Sequence, residues 1–139
     1  MSIIDPEHDP VGLSVRPFLI ERIVSGGQTG ADRAALNWAI ERNVPHGCWC
    51  PKGRKAEDWP LAAQYNLIET PSDNYIQRTE WNVRDFDGTV IIAIAAILSG
   101  GSRNTAEFDG QYKKPCLHLS ATGEGDGASR LLRDFVVLN

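Results

Sequence analysis

The residues best equipped for chemistry lie in the run Ile20–Asp32, I-E-R-I-V-S-G-G-Q-T-G-A-D. A short β-prone stretch passes straight into a turn holding Gly26, Gly27 and Gly30, and then into a helix expected over Ala31–Arg42. Glycine admits positive φ and lets a ligand approach the main chain. The first helical turn leaves backbone N–H groups without intrahelical partners, and the macrodipole adds partial positive charge at the same place. Strand, glycine turn and helix start together suit an anion, phosphate above all. Gln28 and Thr29 add side-chain donors at the tip. The run has neither the Lys-Ser/Thr ending of a Walker loop nor the G-x-G-x-x-G spacing, so it implies phosphate or carboxylate binding and not ATP hydrolysis. A tight β-α turn using glycine for packing alone is the other reading of these residues.

A second cradle is expected in S-G-G-S-R-N-T-A-E, Ser99–Glu107. Here Gly100, Gly101 and Ser102 offer backbone and hydroxyl donors, and Arg103 offers charge. Thr105 is placed to cap a helix over Thr105–Lys113, which puts Glu107 in its first turn, either facing a ligand or simply offsetting the helix dipole. In N-Y-I-Q-R-T-E-W-N-V-R-D, Asn74–Asp85, the residues Arg78, Asn82 and Asp85 recur on one helical face. That face either meets water or carries Arg78 to an anion. An arginine, a carboxylate and two phosphate cradles are also the minimal equipment for cleaving a nucleotide's glycosidic bond, with Arg78 and Glu107 in the catalytic roles. The loop Pro51–Asp58, P-K-G-R-K-A-E-D, clusters Lys52, Arg54 and Lys55, which either close as a lid over a phosphate or stay solvated. His46, Cys48 and Cys50 with Cys116 and His118 sketch a soft-metal set at strand spacing. No C-x-x-C knuckle is present, small cysteines are common in buried strands, and no metal site is expected.

The elements that must position these residues alternate. Strands are expected at Leu19–Ser25, His46–Cys50, Leu67–Glu69, Thr89–Ala95, Cys116–Leu119 and Phe135–Leu138, and helices at Ala31–Arg42, Ile76–Phe86, Thr105–Lys113 and Ala128–Arg133. The alternation predicts a layered α/β domain with a mostly parallel sheet. Val90–Leu98 is apolar on both faces, as a central parallel strand should be. Both glycine loops would then lie beyond carboxyl ends of strands, side by side, where open sheets bind ligands. Ahead of this domain, expected over residues 19–139, residues 1–18 form an extended arm with Pro6, Pro10 and Pro17. Ala121–Gly127 is expected to be a flexible connection.

The chain of 139 residues suits one domain, and its net charge of −4 leaves no global positive field for nucleic acid. No basic-then-apolar leader opens it, and no apolar run is long enough to span a bilayer. Three cysteines without framework spacing suggest a reducing compartment, so a cytoplasmic location is expected.

Several motifs in fixed order add a resemblance. S-G-G-Q-T-G-A-D-R-A-A-L (Ser25–Leu36), P-K-G-R-K-A-E-D (Pro51–Asp58), E-T-P-S-D-N-Y-I-Q-R-T-E-W-N-V-R-D (Glu69–Asp85), D-G-T-V-I-I (Asp87–Ile92), G-G-S-R-N-T-A-E-F (Gly100–Phe108) and K-P-C-L-H-L (Lys114–Leu119) resemble the family named "putative molybdenum cofactor carrier proteins". That family is similar in fold to the Rossmann-like SLOG proteins, three-layer α/β sandwiches that bind nucleotides or related ligands. The resemblance implies a ligand held by Gly26, Gly27, Gln28, Thr29, Gly30 and Asp32 from the first loop and by Gly100, Gly101, Ser102 and Thr105 from the second. The implied ligand is the molybdenum cofactor, whose pterin dithiolene carries a terminal phosphate, or a nucleotide. The same superfamily includes Lonely Guy phosphoribohydrolases, with a helical Arg followed by P-G-G-x-G-T-x-x-E. Arg78, Gly100, Gly101, Thr105 and Glu107 match that pattern, whereas Ser99 replaces the proline and the glycine before the threonine is missing. The expected function is therefore a carrier of a phosphate-bearing small molecule, with nucleoside-monophosphate hydrolysis or a non-catalytic interaction module as the alternatives. A homo-oligomer is expected, with no nucleic-acid or membrane partner.

Overall fold

A computed structural model of the chain describes residues 2–3, 20–121 and 127–139. Most of the expected arm and the centre of the Ala121–Gly127 connection lie outside the described residues. Ser2–Ile3 forms a short strand, β1, antiparallel to β2 (Glu21–Val24). From β2 the chain enters α1 (Ala31–Glu41), then β3 (His46–Cys50), a single 3-10 turn at Lys52–Arg54, and β4 (Leu67–Glu69). Next come α2 (Tyr75–Asp85), β5 (Thr89–Ala93), α3 (Gly100–Tyr112), β6 (Cys116–Ser120) and α4 (Ala128–Leu138). The pairs β2–β3, β3–β4 and β5–β6 are parallel, as strand–helix alternation requires.

The hydrogen-bonded strands fall into two sets, β1-β2-β3-β4 and β5-β6. The expected central strand is therefore corrected: among the described residues β5 pairs only with β6, and it ends at Ala93, not Ala95. Its apolar run is not buried on both faces. Ile91 is buried, whereas Ile92, Ile94 and Ile97 are 61%, 83% and 85% exposed. Two further expectations change. Phe135–Leu138 is the last turn of α4 and not a strand, because nothing between Arg133 and Phe135 breaks the helix and Leu132, Phe135 and Val136 share one helical face. The helix expected from Thr105 begins five residues earlier, at Gly100, after Ser99.

Packing ties the layers together. Ile20 and Ile23 of the first parallel strand bury with Ala39 of α1, and Val136 of α4 packs on the same cluster. Cys50, Ala56 and Leu61, with Leu67 against them, make a second cluster beneath the loop after β3. Helix α2 packs on β3 and α3. β3 is kinked at Gly47 and Cys48, with φ of +146° and +112°. Before the kink it pairs with β2, and after it with β4.

Candidate functional site

The turn after β2 is stapled from within. The Ser25 hydroxyl donates to the Asp32 carbonyl (2.9 Å) and accepts the Gly27 N–H (3.2 Å). Gly27 and Gly30 take φ of +77° and +86°, where a side chain is strained, so both use the freedom expected of them. Asp32 holds the loop from the helix side: its Oδ2 accepts the Gln28 N–H at 3.4 Å. The same oxygen lies 3.5 Å from Arg78 Nη1.

Arg78 enters from α2, and the polar face expected there is a docking face. The Asn82 amide accepts from Trp49 N–H (3.0 Å) and donates to Trp49 carbonyl (3.1 Å), filling the edge of β3 that faces away from β4. Asp85 accepts from the Trp49 indole at 2.7 Å, and the Trp49 and Trp81 rings meet edge to face. One turn before Asn82, the Arg78 side chain is 13% exposed and lies directly against Gly26. A Cβ at Gly26 would overlap the guanidinium. Burial pulls the Arg78 pKa down and the Asp32 carboxylate pushes it back up. Its Nε is buried and has no partner among the described residues.

The lid loop also lies on the glycine turn. Gln28 Nε2 donates to the Lys55 carbonyl (3.0 Å), Thr29 Oγ1 donates to Glu57 (2.8 Å), and Arg33 pairs with Asp58 at 2.9 Å while donating to the Gly27 carbonyl. The Arg33 hydrogen bonds hold the Asp58 carboxyl below its usual range. Lys55 Nζ stands 5.1 Å from the centre of the Tyr75 ring, and the Arg78 guanidinium 5.9 Å from it. The contacts thus close a ring, Gln28–Asp32–Arg78–Tyr75–Lys55–Gln28, bearing two buried atoms without partners among the described residues: Arg78 Nε and Gln28 Oε1. Tyr75 is the member that motif reading did not assign, whereas Lys55 belongs to the basic cluster expected to close over a phosphate. The adjacency of Tyr75 to the N-cap Asn74 is the only local signal for it.

Arg54, expected in the lid as a ligand contact, has a different occupation. Its guanidinium donates to the carbonyls of Leu61 (2.9 Å), Ala62 (2.7 Å), Tyr65 (2.9 Å) and, at 3.5 Å, Leu67. It organises the loop between β3 and β4.

The second cradle is open. Among the described residues, and apart from the chain neighbours and the helix's own backbone, no atom lies within 4 Å of where a Cβ would stand on Gly100 or Gly101, and Ser102 is half-buried beside them. Thr105 does not cap the helix; its hydroxyl donates back to the Gly101 carbonyl at 2.9 Å, within α3. Glu107 is correspondingly displaced from the first turn and pairs with Arg103 at 3.0 Å on an exposed surface. No hydrogen bond or ion pair among the described residues joins the two loops, or Glu107 to Arg78. What links them is α2, which brings Arg78 to the first loop and packs along α3. Among the described residues, no group of three or more His, Cys, Asp or Glu side chains could hold a metal ion. Burial pushes the Cys48 thiol up to about 12 and that of Cys50 upward as well. No described helix is long and apolar enough to cross a membrane.

Parallel β-α units, with a glycine turn at a strand's carboxyl end and a buried arginine beneath it, define a Rossmann-like α/β domain. The chain belongs to the circularly permutated YpsA SLOG family, whose model matches residues 23–139. It is similar to a crystal structure of a "putative molybdenum carrier protein" from Syntrophus aciditrophicus SB, with 49% identity, a TM-score of 0.83, and coverage of 86% of this chain and 75% of that one. No curated protein matches the chain.

Proposed function

We propose that the protein is a carrier that binds a phosphate-bearing small molecule at the Gly26–Gly30 turn, with Arg78 as the principal charge. The observation that carries this reading is the buried guanidinium against Gly26, whose Nε lacks a partner among the described residues. One 3.5 Å contact to Asp32 uses a single nitrogen of a five-donor fork. A guanidinium with spare donors beside a helix start is suited to an oxyanion. Gly26, Gly27, Gln28, Thr29, Gly30 and Asp32 shape that place, and Gly100, Gly101, Ser102 and Thr105 are proposed to meet the remainder of the ligand. The structural neighbour is named a molybdenum carrier; the resemblance read in the sequence extends this to the molybdenum cofactor, and the glycine turn with Arg78 suits its phosphate end. The wholly buried Cys50 offers no thiolate to a metal. Binding is preferred over hydrolysis, because Glu107 is occupied by Arg103 and makes no contact with Arg78.

Native mass spectrometry of the protein as purified tests the reading, followed by titration with molybdopterin and a panel of nucleoside monophosphates. A retained phosphorylated ligand that Arg78→Ala no longer holds is the expected result. Failure of every phosphorylated compound to bind the folded protein would overturn it. Free base released from a monophosphate would revive the hydrolase reading.

A further inference from the structure

We infer that the group seated at the Arg78 ring carries its own hydrogen-bond donor beside its negative charge. The site then takes a phosphate that keeps a proton and discriminates against fully deprotonated dianions such as sulfate and molybdate. This narrows the anion-site reading above and rests on it.

Gln28 carries the argument. Its Nε2 donates to the Lys55 carbonyl at 3.0 Å, and a carbonyl oxygen can only accept. The amide orientation is therefore fixed by its partner, and Oε1 is held as an acceptor. That oxygen is buried with no donor among the described residues reaching it, an arrangement that costs free energy until a donor arrives. A second acceptor borders the same ring: the Asp32 carboxylate, 3.5 Å from Arg78 and 3.4 Å from the Gln28 N–H. An oxyanion on Arg78 thus meets one guanidinium and two acceptors. Sulfate and molybdate at neutral pH present lone pairs alone, and those would face Gln28 Oε1 and Asp32 unfavourably. A phosphate monoester, whose second pKa is about 6, retains a proton on a share of its molecules and can donate it to either acceptor. No covalent bond forms or breaks. On this account free molybdate is not the cargo; a phosphorylated compound is.

The charged and titratable groups facing the ring and its glycine turn are Asp32 and Arg33 from α1, Lys55, Glu57 and Asp58 from the loop after β3, Asp73 before α2, and Tyr75 and Arg78 on α2. Cys50 of β3 also faces Arg78, and burial keeps its thiol protonated. None is a histidine, so a pH response between pH 6 and 8 reports the anion's own proton.

The test is a titration of the full chain with inorganic phosphate, sulfate and sodium molybdate near pH 6 and pH 8 at constant ionic strength. The Arg78 Nε–H and Gln28 side-chain NMR signals are followed. Phosphate should bind at least about tenfold more tightly than the other two near pH 6, and several-fold more weakly near pH 8. Asp32→Asn, which keeps an acceptor for the Gln28 N–H and adds a donor, should bring sulfate to within about threefold of phosphate. Gln28→Met, which removes Oε1, should narrow the gap in the same direction if Asp32→Asn fails to fold. Equal binding of all three anions would overturn the inference while leaving an anion site in place, as would a phosphate preference unchanged between the two pH values. Absence of any response to any anion would overturn the anion site itself.

Discussion

The Arg78 guanidinium occupies the space in which a side chain on Gly26 would begin. Gly26 is buried, and its φ is outside the left-handed region, so its identity is dictated by the arginine and not by the backbone. Gly26→Ala should therefore displace a flexible side chain at a modest cost of about 1–2 kcal/mol. Phosphate binding should be lost, because Arg78 is expelled. Urea unfolding with phosphate titration separates the two effects. Retained binding would mean that Arg78 is not the seat of the anion.

At Gly47 the constraint is of the opposite kind. A Cβ there would come within 2.5 Å of the Asn66 carbonyl, and φ is +146°. The neighbour is backbone and cannot swing away. Gly47→Ala should cost more than about 2 kcal/mol in urea unfolding, above the loss at Gly26, because strain and clash add.

Arg54 gathers four carbonyls, and an ammonium cannot span that set. Arg54→Lys should destabilise the fold by about 2–3 kcal/mol and increase proteolytic cleavage between Ala56 and Leu67. Anion affinity at saturating folded protein should change little. A large loss of affinity with intact stability would return Arg54 to the ligand site.

Asp109, 1% exposed, accepts the Thr89 hydroxyl at 2.7 Å, and burial pushes its carboxyl upward. The unfolded chain ionises near the usual value, about 3.9, before the folded chain does. Stability therefore falls as pH rises through the window between the two, and the loss persists at neutral pH. Asp109→Asn should be more stable than the parent at pH 7, with the advantage shrinking as pH falls towards 4. Urea midpoints at the two pH values check this; an advantage independent of pH would refute the assignment.

Ile92, Ile94 and Ile97 make an exposed apolar patch beside β5. Replacing Ile94 and Ile97 with Lys should reduce fluorescence of an apolar dye on the folded protein severalfold. Stability should change by no more than about 0.5 kcal/mol per site. Unchanged dye binding would place the exposed apolar surface elsewhere.

Local chemistry made much of this legible. His46–Cys50 and Leu67–Glu69 carry strand patterns bounded by Pro, Gly and polar residues, and both strands fall where those patterns end. The Gly26–Gly30 turn and the Arg78, Asn82, Asp85 face could be recognised from spacing alone. Other features depend on long-range partners. F-V-V-L at 135–138 has strand propensity, but α4 carries Val136 onto Ile20 and Ile23. Two glycines argue against a helix start at Gly100, yet the chain turns there with φ of +54° and the helix follows. The uncharged run around β5 looks central by composition, while strand pairing buries Ile91 and leaves Ile92, Ile94 and Ile97 uncovered. Likewise, no pattern announces that Arg54 will serve carbonyls or that Tyr75 and Lys55 will complete a ring, since each of these needs the loop between β3 and β4 already folded.

Asn82 grips both polar groups of one peptide residue, Trp49, as a neighbouring strand would. A helix seated on such a grip cannot roll about its own axis without releasing both bonds. Everything else on α2 inherits that angular setting, so the aim of the guanidinium four residues upstream is decided by an amide bonded to β3 and not to the glycine turn. A single turn of helix thereby sets the direction of the charge on which the proposed anion site depends.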